Sequence, residues 1–329
     1  MADDVVEAMI RKFGSHFPFL EYSWHGGEPT MAGIDFYRRA LAAQTAFYGD
    51  DTSRYRNNIQ TNGIGFDDEW MDFVRAGKIA LGLSHDGPAS VGTRVSRSGK
   101  PIADKVEGTI DRLIERHDFH PGVLCVVTRA NARDPDGLYS YFKAQRVGAL
   151  SLLPHLGAEP ELRLTPDLYG SFFTRMFDLW MDDPDGQIER LGPFDHVMAK
   201  ILGLPRSICS WDAGCFRDLL SIEPDGGVYL CSAFQGDDHR LGNILTDSVA
   251  DILDSPNLHA ARAAQEKALA ECEGCDVLDV CSGGCREASF FSFGEIGRRD
   301  PHCEGRRILV KHVAGRLLDK ARHFSQGEV

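Results

Sequence analysis

Cysteine is the residue type whose spacing in this sequence points most directly to chemistry. Eight of the nine cysteines fall in the last 121 residues, with the spacings C-x5-C-x15-C and C-x2-C-x5-C-x3-C-x17-C: Cys209, Cys215, Cys231, Cys272, Cys275, Cys281, Cys285 and Cys303. Eight thiolates divide into two sets of four, the number that saturates a tetrahedral zinc ion or a 4Fe-4S cluster. Spacing alone does not choose between these metals, so a zinc scaffold stays open. Oxidised cystines are disfavoured because the sequence shows no export signal.

A second group of candidate residues follows predicted strands. The tetrapeptide Gly-Gly-Glu-Pro at 26–29 comes directly after Leu20–Trp24, and three polar stretches follow in order, Gln60–Gly63, Leu83–Pro88 and Arg94–Gly99. Paired glycines let a ligand approach the backbone, and polar groups at the ends of successive parallel strands converge on one mouth of a barrel. Each stretch by itself is also explained as an ordinary turn without a ligand.

Alternating strands and helices must position these residues. Five short apolar runs predict buried parallel strands, and each precedes a helical pattern: Leu20–Trp24, Asn58–Asn62, Ile79–Ser84, Gly122–Thr128 and Leu150–Leu153. Apolar residues recur on one helical face within Lys105–His117 and within Thr165–Asp182. This alternation predicts an α/β fold, either a barrel or an open doubly wound sheet. Cys125 lies inside an apolar strand and is interpreted as a small core residue.

The chain opens directly on a predicted helix, in which Asp4 and Glu7 fit a capping box and an apolar stripe follows: Val6, Met9, Ile10 and Phe13. In a strand–helix series this helix should follow a strand, and no residues supply one. The strand Leu20–Trp24 is then expected to lack a neighbour on one side. We interpret the sequence as cut at its start.

The pattern changes beyond residue 185. Leu219–Ile222 and Val228–Cys231 form a predicted hairpin around a Pro-Asp-Gly-Gly turn, followed by a short helix at Ser248–Leu253. A terminal helix carries Leu309, Val313 and Leu317. The predicted organisation is therefore a strand–helix domain (1–185), a linker (186–205), a cysteine-organised domain (206–303) and a C-terminal helix (304–329).

Charge and hydropathy exclude two classes of partner. The 36 Lys and Arg against 49 Asp and Glu give a formal charge of −13, which argues against nucleic-acid binding. No apolar run approaches the roughly 18 residues of a membrane helix, and the first residues lack the positive start of a secretory signal. A cytoplasmic location without membrane partners is expected.

The cysteine register resembles the SPASM domain of radical S-adenosylmethionine (SAM) enzymes, in particular the anaerobic sulfatase-maturase type. The resemblance implies a partial parallel (β/α) barrel, lacking its first strand and cluster loop, followed by a cysteine-rich α+β SPASM domain. It also implies two auxiliary 4Fe-4S clusters. One would be held by Cys209, Cys215, Cys231 and Cys285, and the other by Cys272, Cys275, Cys281 and Cys303.

The same resemblance implies how SAM would bind. The segment Gly26, Gly27, Glu28 and Pro29 matches the one that holds the amino group of the methionine moiety in this family. Ser84 and Arg94 are implied polar contacts, Asn62 is a weaker candidate, and Leu153 is implied as an apolar contact to the adenine. The implied partners are a substrate peptide or protein and an electron donor such as flavodoxin or ferredoxin.

Two departures from the family pattern bear on activity. The CxxxCxxC loop that holds the catalytic 4Fe-4S cluster is absent, since no cysteine precedes Cys125. The chain as it stands is therefore not expected to cleave SAM reductively, and we expect that cluster in a longer form of the protein. The sulfatase maturases also carry an Asp directly after the third SPASM cysteine as a proposed base, where this chain has Ser232. A hydroxyl is a far poorer base than a carboxylate, so the catalytic base remains unassigned.

The resemblance implies a radical SAM/SPASM peptide or protein maturase, which abstracts hydrogen from its substrate by a 5'-deoxyadenosyl radical. Ser232 favours peptide-modifying relatives over formylglycine formation in sulfatases, which stays as an alternative. The rival of another class is a non-catalytic module that keeps two iron–sulfur clusters and binds a peptide or transfers electrons. Substrate identity and the modified residue are not specified by the sequence.

Overall fold

The computed structural model describes residues 1–88, 94–96, 98–205, 208–212 and 214–326. These residues form two compact units, each built from separate stretches of chain. Unit 1 contains Met1–Ser84, Glu115–His117 and Phe216–Ala263, and unit 2 contains the other described residues. Among the described residues, no helix combines the length and apolar composition needed to cross a membrane.

The strands found in the described residues are β1 (Leu20–Trp24), β2 (Tyr55–Thr61), β3 (Ala80–Ser84), β4 (Gly122–Val127), β5 (Ala149–Pro154), β6 (Arg190–Gly192), β7 (Ser221–Ile222), β8 (Gly227–Tyr229) and β9 (Arg240–Asn243). The helices are α1 (Asp3–His16), α2 (Ile34–Tyr48), α3 (Asp68–Ala76), α4 (Ala103–His117), α5 (Pro135–Ala144), α6 (Pro166–Met181), α7 (Phe194–Ile201), α8 (Val249–Leu253), α9 (Pro256–Ala270), α10 (Leu278–Cys281), α11 (Arg286–Phe293) and α12 (Cys303–Gln326).

Unit 1 contains a parallel layer in which β1, β2 and β3 pair in chain order, with Tyr22 opposite Asn57 and Ile59 opposite Leu81. Helices α2 and α3 connect these strands, as in βαβ units. The antiparallel strands β7, β8 and β9 belong to the same unit, and the β7–β8 pair confirms the predicted hairpin. The turn between them depends on glycine at position 226, whose φ is +83°.

Unit 2 repeats the parallel arrangement with β4, β5 and β6, placing Cys125 opposite Leu152 and Leu150 opposite Leu191. Cys125 is fully buried, and burial raises the pKa of its thiol, so its interpretation as a core residue is supported by the structure. The predicted strands are all found, within three residues at either end, and the α/β fold class is confirmed.

Two helices confirm the apolar periodicity on which they were predicted. In α4, the residues Val106, Ile110 and Leu113 are buried, and α6 buries most of its aromatic face. Thr165 caps α6 by accepting a hydrogen bond from the backbone N–H of Leu168. In each helix the 3.6-residue period puts these side chains on one stripe facing the core.

The predicted capping box of Asp4 with Glu7 is wrong. Helix α1 begins at Asp3 with Ala2 as its N-cap, and no side chain caps it. Asp4 lies inside the first turn, where its Oδ1 accepts a hydrogen bond from the N–H of Val5 at 2.8 Å. A carboxylate in that position favours the helix through the dipole at its N-terminus. The predicted apolar stripe of α1 is nonetheless buried, at Val6, Met9, Ile10 and Phe13.

The segment 186–205, predicted as a linker, instead contains β6 and α7. Strand β6 pairs with β5, and the side chains of Leu191, Phe194 and Val197 are completely buried. A strand of three residues is too short to show an alternating pattern, so periodicity did not reveal it. Residues 206–207, 213 and 327–329 of the predicted C-terminal domains lie outside the described residues.

Helix α12 packs closely against α6 within unit 2. Leu309, Val310 and Val313 of α12 are buried, and Asp178 of α6 accepts hydrogen bonds from His312 at 2.8 Å and Arg316 at 2.6 Å. At Gly305 the two helices come so close that a Cβ would collide with the carbonyl oxygen of Pro166. Glycine at this position therefore permits the helix–helix contact.

We predict that Gly305→Ala lowers the free energy of unfolding by about 1–3 kcal/mol, because the added methyl group overpacks a backbone contact. The matched control is Gly315→Ala on the same helix, where a Cβ would meet nothing within 4 Å. There alanine should stabilise the helix by up to about 1 kcal/mol. Urea unfolding followed by circular dichroism measures both variants, and equal stability of the two would contradict the packing described.

Candidate functional site

The glycine pair that follows β1 adopts a backbone conformation that other residues rarely reach. Gly26 has φ of +93° and Gly27 has φ of +57°, both in the region that favours glycine. A Cβ built on either residue would meet no atom within 4 Å, so the turn is open on that side. Glycine is therefore required by conformation, and the peptide groups of this turn remain approachable by a ligand.

Glu28 anchors this turn to the end of the neighbouring strand. Its carboxylate accepts hydrogen bonds from the hydroxyl of Thr61 at 2.6 Å and from the N–H of Asn62 at 2.9 Å. It also accepts from the N–H and the hydroxyl of Thr30, at 3.0 and 2.6 Å. With four donors from its own chain, the Glu28 carboxylate holds the loop 26–29 against the end of β2.

Asn62 and Ser84 lie at the carboxyl ends of β2 and β3. The Asn62 Oδ1 accepts a hydrogen bond from the N–H of Ile64 at 2.8 Å and so shapes the turn after β2. The Ser84 hydroxyl accepts a hydrogen bond from the side-chain amide of Gln60 at 2.9 Å. Unit 1 thus places six of the expected SAM-binding residues after three adjacent parallel strands: Gly26, Gly27, Glu28, Pro29, Asn62 and Ser84.

Arg94, an expected SAM contact, belongs to unit 2 and is held by Asp86. Its Nε and Nη2 donate to the two carboxylate oxygens of Asp86 at 2.6 and 2.9 Å, a bidentate arrangement. Asp86 is 5% exposed and also accepts from the N–H of Val126 at 2.8 Å. Sequence analysis missed this positioning role, although Asp86 stands in the polar stretch after β3. Arg97, from the next stretch, lies outside the described residues.

The structure gathers four of the predicted cluster cysteines around one small cavity in unit 2, together with Arg299 and Asp300: Cys272, Cys275, Cys281 and Cys303. None of the four is in a disulfide. Burial, opposed by the charge of Arg299 and aided by the neighbouring Cys281 and Cys272, raises the pKa of Cys303 to about 11. Burial also raises the pKa of Cys272, again with contributions from Cys281 and Cys275.

Four thiols on one cavity provide the donor set that a 4Fe-4S cluster requires. Thiols with raised pKa values stay protonated until a metal displaces the protons. Within the described part of the chain, no group of three or more His, Cys, Asp or Glu side chains is arranged to hold a single metal ion. The four thiols therefore border a shared space without meeting at one point.

The other predicted set is divided between the two units. Cys209, Cys215 and Cys285 lie in unit 2, whereas Cys231 lies in unit 1 directly after Leu230. Burial and then the charge of Asp300 raise the pKa of Cys285 to about 12, and Cys209 also contributes to the increase. Cys209 and Cys285 are thus electrostatic neighbours, and ligation by the complete set stays a prediction. Ser232, which follows Cys231, is exposed.

A cavity of about 290 Å³ lies within unit 2, beside the ends of β4 and β5. Its walls are mainly apolar, with residues that include Leu153, Tyr169 and Trp211. Cys285 and Glu287 also line it, and burial raises the pKa of the Glu287 carboxyl. Apolar walls with a few convergent polar groups are typical of ligand sites. The expected adenine contact, Leu153, and an expected cluster ligand, Cys285, therefore line the same cavity.

Sequence analysis missed several residues of this cavity. Glu287 and Trp211 lie two residues from Cys285 and Cys209, and this nearness was the only available signal. Asp300, which is 4% exposed, accepts hydrogen bonds from the N–H groups of Cys285 at 2.8 Å and His302 at 2.7 Å. Its carboxylate therefore fixes the backbone at one cysteine, and burial that would raise its pKa is overcome by His302 and Arg306, which lower it.

Comparison with known proteins extends these observations. Residues 215–276 match the model of the SPASM iron–sulfur cluster-binding domain. The chain is 28% identical to the cysteine-type anaerobic sulfatase-maturating enzyme of Clostridium perfringens, over 98% of this chain and 90% of that protein. It is also 28% identical to the serine-type enzyme of Bacteroides thetaiotaomicron, over 95% of this chain and 81% of that protein.

Solved structures agree with the sequence matches. The structure of native anSMEcpe with bound AdoMet superposes with a TM-score of 0.85 at 27% identity, covering 98% of this chain and 90% of that one. Streptococcus suis SuiB bound to its precursor peptide SuiA shares the fold, with a TM-score of 0.64 at 16% identity over 92% of this chain and 69% of that one. Residues 215–276 therefore belong to a SPASM domain, and the chain is homologous over nearly its whole length to anaerobic sulfatase-maturating enzymes, which supports the resemblance to radical SAM/SPASM peptide maturases.

Proposed function

We propose that this chain binds SAM and acts in the maturation of a peptide or protein, with a substrate side chain held in the cavity of unit 2. The observation that carries the proposal is that Leu153 and Cys285 line the same cavity of about 290 Å³. The homologous maturases and the solved structure with bound AdoMet support it. A cavity with mainly apolar walls would limit the access of water and stray hydrogen donors to a reactive substrate.

The residues that follow β1, β2 and β3 are proposed to bind and orient SAM. In a form of the protein that carries the catalytic 4Fe-4S cluster, one-electron reduction of SAM would release methionine and supply a 5'-deoxyadenosyl radical to take a hydrogen atom from the substrate. The open backbone of Gly26 and Gly27 is proposed to receive the amino group of SAM, while Glu28 keeps that turn in place. Asp86 holds the guanidinium of Arg94, a further proposed contact, in a fixed orientation.

The cysteines are proposed to hold two auxiliary 4Fe-4S clusters. The set Cys272, Cys275, Cys281 and Cys303 fits such a group because its four thiols share one cavity. The set Cys209, Cys215, Cys231 and Cys285 is assigned by the register of the SPASM domain. Clusters ligated by four cysteines suit electron transfer, and a cytoplasmic flavodoxin or ferredoxin is the proposed source of electrons.

The proposed substrate class is a ribosomal peptide, with formylglycine formation in a sulfatase as the second candidate. Ser232 stands where the family pattern has an Asp, and a hydroxyl does not serve as a base near neutral pH. The second candidate is supported by the homology to both cysteine-type and serine-type sulfatase-maturating enzymes.

Cluster content tests the cysteine assignment. The anaerobically purified chain should carry about eight iron and eight sulfide ions. Cys272→Ala should lose about half of both, because one ligand of one cluster is removed. Cys125→Ala, which changes a buried strand cysteine, should retain the wild-type content. Iron that is unaffected by Cys272→Ala, or zinc in its place, would contradict the assignment.

The glycine turn provides a test of SAM binding. Gly26→Ala should weaken SAM binding at least tenfold, about 1.4 kcal/mol, because the turn is strained for alanine and its backbone shifts. Gly49→Ala is a matched control, since Gly49 also has positive φ, at +61°, and a Cβ there would meet no atom within 4 Å. Calorimetric titration should show wild-type affinity for the control, and equal losses in the two variants would refute the assignment.

A third experiment separates a maturase from a binding module. The 329-residue chain should bind SAM and peptide but form no 5'-deoxyadenosine, since its first 124 residues contain no cysteine. A version extended by the upstream codons, where these encode C-x3-C-x2-C, should form 5'-deoxyadenosine together with a peptide of altered mass. Assays with peptides whose target residue is cysteine or serine, and with peptides that offer other target residues, distinguish formylglycine formation from the modification of ribosomal peptides. Binding without turnover by the extended version would establish the non-catalytic module.

A further inference from the structure

Arg306 is a buried arginine that contacts a cysteine sulfur directly. It lies on α12, three residues after Cys303, and is 2% exposed. Its Nε donates a hydrogen bond to the Sγ of Cys281 at 3.2 Å. Cys281 is one of the four cysteines around the small cavity of unit 2. The guanidinium therefore reaches the proposed cluster site through a ligand atom.

Further contacts hold the guanidinium in one orientation. Nη2 donates to the carbonyl oxygens of Ser210 at 2.6 Å and Cys281 at 3.2 Å. The plane of the guanidinium lies over the ring of Trp211, with the guanidinium carbon 3.6 Å from the ring centroid. Because these contacts fix the orientation of the guanidinium, it loses little conformational entropy when its Nε donates the hydrogen bond to sulfur.

Two neighbouring cations differ from Arg306 in their exposure to solvent, whereas Arg286 is equally buried but donates its hydrogen bonds to the carbonyl oxygens of Gly283 and Arg298 rather than to a cysteine sulfur. Arg299 lines the same small cavity but is exposed, and Arg307 is partly exposed and paired with Asp276 at 2.8 Å. Water and salt screen such charges, whereas a buried charge acts in a medium of low dielectric constant. Arginine keeps its proton at all physiological pH values. Of these three, Arg306 should thus exert the strongest electrostatic effect on the cavity.

We propose that Arg306 raises the reduction potential of the cluster held by Cys272, Cys275, Cys281 and Cys303. This inference rests on the proposed function, which places a cluster there. Reduction adds one electron and makes the cluster more negative. A buried positive charge and an N–H donor on a ligand sulfur stabilise the reduced state more than the oxidised state. Arg306 is therefore a positioning and tuning residue that ligates no iron.

The same guanidinium also lines the larger cavity of unit 2. Arg306 thus lies between the four-cysteine cavity and the cavity proposed for substrate. Its removal is expected to affect the cluster without removing a ligand. A purely structural role would change protein stability and iron content but leave the potential of the remaining clusters unchanged.

The test is a redox titration of the cluster-loaded chain, monitored by electron paramagnetic resonance. The signal of this cluster is the one that Cys272→Ala abolishes. Arg306→Met should shift its midpoint potential to a more negative value, and Arg306→Lys, which keeps the charge, should shift it less. Arg307→Gln removes a solvent-exposed charge one residue away, which is paired with Asp276, and should shift the midpoint less than Arg306→Met does. An unchanged midpoint in Arg306→Met with full iron content would overturn the inference.

A measurement on the wild-type protein covers the case in which Arg306→Met does not assemble its clusters. Labelling with 15N-arginine should give the reduced cluster a nitrogen hyperfine coupling in pulsed electron paramagnetic resonance, from the Nε that donates to Cys281. Absence of that coupling would overturn the inference while the proposed function stands. Absence of any iron–sulfur signal from the wild-type chain would overturn the proposed function, and with it the inference.

Discussion

The close packing of α12 against α6 is the contact on which much of unit 2 depends. Cys303 begins α12, Arg306 follows within one turn, and Gly305 between them permits the approach to Pro166 of α6. If a methyl group at position 305 displaced α12, the proposed cluster ligand Cys303 and the guanidinium of Arg306, which contacts Cys281, would move together. Packing and chemistry are thus coupled, because the same helical turn serves both.

Buried carboxylates position the backbone around the proposed site. Asp300 accepts from the N–H of Cys285, and Asp86 holds both Arg94 and the N–H of Val126. In unit 1, the half-buried carboxylate of Glu28 likewise accepts hydrogen bonds at the end of β2. A buried carboxylate with several donors is stable only when all of them are in place, so these groups favour one backbone geometry.

The site of unit 2 combines sparse polar groups with apolar walls. Glu287, Cys285 and Arg306 face a cavity whose other walls include Leu153 and Trp211. In such surroundings charges act strongly because little water screens them. The guanidinium of Arg306, near a proposed cluster, and the carboxyl group of Glu287, in the same cavity, therefore give this cavity groups of opposite charge type.

Local pattern and residue spacing were sufficient to predict the parallel strands and the apolar faces of α4 and α6. They were also sufficient to recognise the cysteine spacing of a SPASM domain. These features are encoded by neighbouring residues, whose periodicity depends on the backbone geometry of a single strand or helix. Strand β6 escaped prediction because three residues carry no period, and the cap of α1 was misplaced because capping depends on where the backbone leaves the helix.

Tertiary structure alone decided which side chains meet across long stretches of chain. Nothing in the sequence pairs Arg306 with Cys281, or places Glu287 and Leu153 on the same cavity, since both arrangements arise from the packing of separate elements. Cysteine spacing names the candidate ligands of a cluster, but the charge and hydrogen bonds around them are set by the residues that folding brings near. For this chain, the sequence determined the chemical class of the site, and the fold determined its electrostatic surroundings.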